Sequence, residues 1–150
     1  MVKIERYAAK GVWDPPTYSQ AVKVTGAQTI LYLAGQVAYD DKGGPAHRGD
    51  FKAQARAVFQ AIKAQVEAGG GTMDNIVKIN TYLTDIRNRA DLGTIREEFL
   101  GKKTCASTLA RVAEAIYFFS VGSEKSRRLP NGSATFITRA PHGSSSMPGS

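Results

Sequence analysis

Residues 74–109 read DNIVKINTYLTDIRNRADLGTIREEFLGKKTCASTL, and this stretch decides how the chain folds. Val77, Ile79, Thr81 and Leu83 fall on one side of an extended backbone, with Lys78, Asn80, Tyr82 and Thr84 on the other. That two-residue period predicts a strand over 75–84 with one face on a core. Asp85-Ile86-Arg87-Asn88 breaks the alternation, and Asn88 is a candidate N-cap for a helix. Leu92, Ile95, Arg96 and Phe99 recur at helical spacing, predicting that helix over 89–100. The stretch closes on a short Thr/Ser strand at 104–109.

Working outward from there, Asp50 is the expected cap of a long helix over 51–68, whose apolar face carries Phe51, Ala55, Val58, Phe59, Ile62 and Val66. Gly69-Gly70-Gly71 stops it. Further upstream, 3–7, 20–24 and 29–33 read as strands, the last two joined through Gly26 as a hairpin candidate. Asp14-Pro15-Pro16 is loop, because proline cannot donate to a ladder. The order β-β-β-α-β-α-β, with two helices on one face of a mostly continuous sheet, is an α+β architecture. Residues 113–140 have a different character. The apolar run 115–121 reads as a buried strand and 133–140 as a last strand, while 141–150, PHGSSSMPGS, reads as a disordered tail.

Composition narrows the function classes. A chain of 150 residues fits one domain with a real core. The sequence holds no apolar run long enough to span a membrane and no apolar segment near its start, so neither membrane insertion nor secretion is expected. The single cysteine, Cys105, excludes an internal disulfide and suits a reducing cytoplasm. The charge is uneven: residues 1–100 carry 13 Lys/Arg against 11 Asp/Glu, and residues 101–150 carry 7 against 2. The basic character therefore lies in the tail, which argues against a specific nucleic-acid surface. His47 and His142 stand in expected loops without companion ligands, so no metal site and no Cys105/His pair is read.

Four blocks occur in a telling order: Tyr18-Ser19-Gln20-Ala21, Ala34-Gly35-Gln36, the long helix ending in Gly69-Gly70-Gly71, and Ile76-Val77-Lys78-Ile79-Asn80-Thr81-Tyr82-Leu83-Thr84-Asp85. Together they resemble the RidA/YjgF family, the reactive-intermediate deaminases formerly described as translation inhibitors or endoribonucleases. The resemblance covers about residues 14–112. It implies a chorismate-mutase-like α+β fold and a homotrimer with a cleft at each subunit boundary. It also implies a small carboxylate or imine as partner, hydrolysis of an enamine or imine to a 2-keto acid and ammonia, and no metal or organic cofactor.

Carried over by position, the resemblance places Tyr18 at the cleft tyrosine and Gly35, with Gln36 beside it, at a backbone contact to substrate. Ser107 stands where the family's carboxylate-gripping arginine stands; a one-residue slip gives Ala106. Ser107 and Thr108 would line the cleft, Gly93 takes the place of a helix asparagine, and the family's glutamate falls near Phe136. No catalytic residue is assigned. Arg87, Arg89 and Arg96 could replace the missing grip, but their setting, with Arg96 flanked by Glu97 and Glu98, reads first as a solvated helix start and face. The tail admits two readings, an insertion within 113–128 or a changed end after Val112. The expected function is a RidA-like deaminase of altered substrate preference. A non-enzymatic ligand-binding or regulatory trimer is one alternative, and a ribonuclease- or chaperone-like activity assisted by the basic tail is another.

Overall fold

A helix with one apolar face and a strand with one apolar face must bury those faces together, and α1, Phe51–Ala68, and β4, Lys78–Leu83, do so. The computed structural model describes residues 1–102, 105–113 and 133–138. Along the chain come β1 (Lys3–Tyr7), β2 (Ala21–Thr25), β3 (Leu31–Tyr32), α1, a 3-10 turn (Met73–Asn75) and β4. A second 3-10 turn (Ile86–Asn88), α2 (Arg89–Leu100), β5 (Ala106–Arg111) and β6 (Ser133–Thr138) complete the order. The expected strand 115–121, the polar stretch 122–128 and the tail 141–150 lie outside the described residues.

Asp50 caps α1 through its side chain, which accepts from the Ala53 N–H at 3.0 Å. Asp50→Ala is expected to cost about 1 kcal/mol of stability, measured by urea unfolding; an unchanged midpoint would contradict the cap. At the other end, Gly70 sits at φ 81, and a Cβ on Gly69 would come within 2.8 Å of Leu31 on β3. The glycine run thus stops the helix and lets its end press against the sheet.

Ile79, Thr81 and Leu83 of β4 are buried and the intervening residues half-buried, as the alternation predicts. The core joins Ile79 and Leu83 to Val58, Phe59, Ile62 and Val66 of α1 and to Leu92, Ile95 and Leu100 of α2. Phe59 and Phe99 stack with ring centroids 5.2 Å apart, locking the two helices. On the outer surface Arg56 forks Glu98 at 2.8 and 3.0 Å, an exposed pair that orients more than it stabilises.

The sheet differs from the expected continuous one. Among the described residues β1 and β2 form an antiparallel pair, and a second sheet runs β3-β6-β4-β5. The hairpin through Gly26 does not form: β2 pairs with β1, and β3 pairs with β6. β4 and β5 are parallel with α2 as their crossover, the connection that parallel neighbours require. The register sets Ile79 beside Ser107 and Thr81 beside Leu109, so Ser107 and Leu109 share the helix-facing side of the sheet.

The turn before α2 also differs. Asn88 precedes the helix but makes no side-chain cap bond, because the 3-10 turn leaves it at φ −75, ψ 2 rather than extended. Asp85 caps the 3-10 turn ahead of the helix, accepting from the Arg87 N–H at 3.0 Å. β5 begins at Ala106 and extends to Arg111, two residues further than the pattern predicts.

Candidate functional site

Between α2, β5 and the loop entering β2 lies a cleft of about 880 Å³, a size suited to a small-molecule ligand. Its location results from the parallel crossover. α2 packs over the sheet through Leu92 and Ile95, while Ser107 and Leu109 come up from β5 to meet it. The third wall is Thr17-Tyr18. A backbone bond from Ser19 N–H to the Cys105 carbonyl, 2.9 Å, fixes that loop beside the start of β5, and both residues of the bond are buried.

The cleft brings together two of the five expected binding residues, Tyr18 and Ser107. Thr108 lies on the opposite face of the sheet from Ser107, and its Oγ1 accepts from Lys78 Nζ at 2.7 Å. Gly35 and Gln36 are not among the lining residues of this single-chain cleft; the Gln36 amide donates to the Ala34 carbonyl at 3.2 Å. Gly93 lines the cleft and leaves it open, since nothing stands within 4 Å of a Cβ placed there. Cys105 is fully buried and does not line it.

In the sequence Arg96 reads first as part of a solvated helix face, with a substitute anion grip as the other reading. The side chain is half-buried and spans the cleft from α2: Nη1 donates to Ser107 Oγ at 3.5 Å and Nη2 donates to the Thr17 carbonyl. The available signal was its spacing, since Arg96 stands four residues after the buried Leu92 and next to the buried Ile95. Helical position placed the residue near the core side, while the neighbouring glutamates argued for water. Glu98 is drawn outward to Arg56, and Glu97 lines the cleft.

The electrostatics favour an anion. Arg87, Arg89, Arg96 and Lys102 line the cleft against a single described carboxylate, Glu97. Lys102 pairs with Glu97 at 3.3 Å and Arg87 with Asp85 at 2.7 Å. Among the described residues, Arg89 and Arg96 form no ion pair with a carboxylate. The side-chain bond from Arg87, then the Arg87 backbone N–H, hold the Asp85 carboxyl down at about 2. A depressed pKa favours the folded form above the unfolded value and loses that favour as pH falls toward 2. Asp85 is thus expected to remain ionised at pH 3, followed by its carboxyl chemical shift; a midpoint near 4 would contradict the Arg87 fork.

Among the described residues no group of three or more His, Cys, Asp or Glu could hold a metal ion. No helix among them is long and apolar enough to cross a membrane.

The fold and the cleft define a small α+β protein of the chorismate-mutase-like class. The chain belongs to the RidA/YjgF family: the family model described as endoribonuclease L-PSP matches residues 14–121. That match continues past Val112. RutC family protein PH0854 of Pyrococcus horikoshii is 35% identical over 96 residues, 64% of this chain and 74% of the relative. The mitochondrial protein MMF1 of Saccharomyces cerevisiae is 34% identical over 79 residues, 53% of this chain and 52% of the relative. Among solved structures, RidA from an Antarctic Psychrobacter superposes with a TM-score of 0.58 at 32% identity, covering 87% of this chain and 91% of that one. The Rid-family protein YyfB of Yersinia pestis reaches 0.69 at 21% identity over 90% of this chain and 98% of that one, a likeness of fold.

Proposed function

We propose that this protein hydrolyses a small enamine or imine that carries a carboxylate. The observation that carries the reading is the cleft at Tyr18 and Ser107, where, among the described residues, four cationic side chains face one carboxylate. In the reaction water adds to the imine carbon, a proton passes to nitrogen, and the carbinolamine expels ammonia to leave a 2-keto acid. Glu97 is the lining group able to accept the proton of the attacking water. In this reading the hydroxyls of the lining residues Tyr18 and Ser107 hold polar atoms of the substrate.

In the proposed assembly three copies meet with a cleft at each boundary, and Gly35 and Gln36 take part at that boundary. Trp13, Tyr32 and Tyr39 are 69%, 70% and 55% exposed in the single chain, apolar surface that association would cover. The proposed organisation is a RidA-like domain over 1–112, an atypical segment over 113–140 that supplies β6, and a tail over 141–150. The lone cysteine supports a cytoplasmic setting.

The test generates the imine in situ with an amino-acid oxidase and follows its loss to a trapping reagent. Faster release of ammonia and keto acid than in buffer supports the reading. No acceleration, together with carboxylate binding by calorimetry, would establish the second reading, a ligand-binding trimer without hydrolysis. That reading draws on the Lys102–Glu97 pair, which engages the cleft's one described carboxylate.

A further inference from the structure

We infer that Arg96 is the residue that grips the anionic end of the ligand, so that the anchor comes from helix α2 rather than from the sheet. The inference rests on the proposed reading of the cleft and adds to it the group that selects for charge. The guanidinium is held at two points, by Ser107 Oγ on β5 and by the Thr17 carbonyl on the loop. A guanidinium has five N–H donors. These two bonds engage one hydrogen on each Nη, which leaves three donors, Nε–H among them. A planar fork already fixed in position loses little freedom when a carboxylate binds across its open edge. Ser107 Oγ accepts from Arg96, which leaves its own O–H to donate to a ligand oxygen.

The surrounding charges point the same way. Arg56 is engaged by Glu98, Arg87 by Asp85 and Lys102 by Glu97. Arg96 is the half-buried cation of the cleft that no described carboxylate neutralises. Both of its contacts are to neutral oxygens, so its charge is left for an incoming anion. The ligand class this selects is a small carboxylate, planar at the adjacent carbon, such as a 2-oxo or 2-imino acid. A purely mechanical role, a strap tying the Thr17 loop to α2, uses the same two hydrogen bonds but is indifferent to ligand charge.

That difference sets the experiment: calorimetric titration of the full chain with pyruvate and with its neutral amide, pyruvamide. The unaltered protein is expected to bind pyruvate more tightly than pyruvamide. Arg96→Gln keeps an N–H donor for the loop and removes the charge. It should weaken pyruvate by about 10- to 100-fold and leave pyruvamide within about threefold. Arg96→Lys, a point charge in place of the fork, should fall between the two, and it carries the same comparison if the glutamine variant does not fold. Equal losses for both ligands would show a strap and overturn the inference. Unchanged pyruvate binding in both variants would overturn it while leaving the cleft reading in place. Failure of the unaltered protein to bind pyruvate would remove both.

Discussion

Ile62→Ala is expected to lower the unfolding free energy by about 2–5 kcal/mol, the largest stability effect of any single truncation proposed for this chain. Ile62 lies on the apolar face of α1 and is 0% exposed. It belongs to the cluster that joins α1 to Ile79 of β4 and Ile95 of α2, so the deleted atoms leave a hole where three elements converge. The hole cannot close easily, because Phe59, one turn earlier, is fixed by its stack on Phe99. Thermal melting should show a midpoint lowered by about 4–20 °C for a chain of this size. A loss below about 1 kcal/mol would mean that α1 does not seat on the sheet through this residue.

Glu97→Gln is expected to reduce the rate of imine hydrolysis by about 10²–10⁴-fold, the contribution of a positioned general base. The argument is geometric. α2 carries Arg96 and Glu97 side by side, and both line the cleft. The proposed anion grip and the proposed proton acceptor then sit on one rigid element, at adjacent positions about 100° apart around the helix. Glutamine preserves shape and hydrogen bonding but cannot accept the proton. Calorimetric binding of pyruvate should persist in this variant, because Arg96 remains. A rate that is unchanged in the glutamine variant would move the base elsewhere, and parallel loss of rate and binding would show that Glu97 holds the cleft together through Lys102.

Much of the architecture was legible in the sequence. The spacing of Val58, Ile62 and Val66 specified both a helix and its buried face, and the alternation from Ile79 to Leu83 did the same for β4. Asp50 and the glycine run bounded α1 at the expected places. Tyr18 and Ser107, singled out by position in the sequence, line the cleft of the single chain. The misplaced features share a cause. Asn88 reads as a cap by residue type, but it ends a 3-10 turn that Asp85 caps, and its own side chain makes no cap bond. The expected hairpin at Gly26 used a local turn signal, whereas β3 satisfies its backbone by pairing with β6, more than one hundred residues away. Arg96 reads as solvated because its chain neighbours are charged, yet what surrounds a side chain is set by the elements packed around it.

The sequence by itself determined the two helices with their bounds and the apolar faces of α1 and β4, because period, capping and turn chemistry are properties of short stretches. Only the tertiary structure decided that β6 lies between β3 and β4, that β5 runs parallel to β4, and that Arg96 reaches Ser107 and the Thr17 carbonyl. Those outcomes depend on the joint burial of segments distant along the chain. β4 took β5 and β6 as neighbours because that arrangement places Ile79 under both helices and brings Ser107 up beside α2, a result that no window of adjacent residues contains.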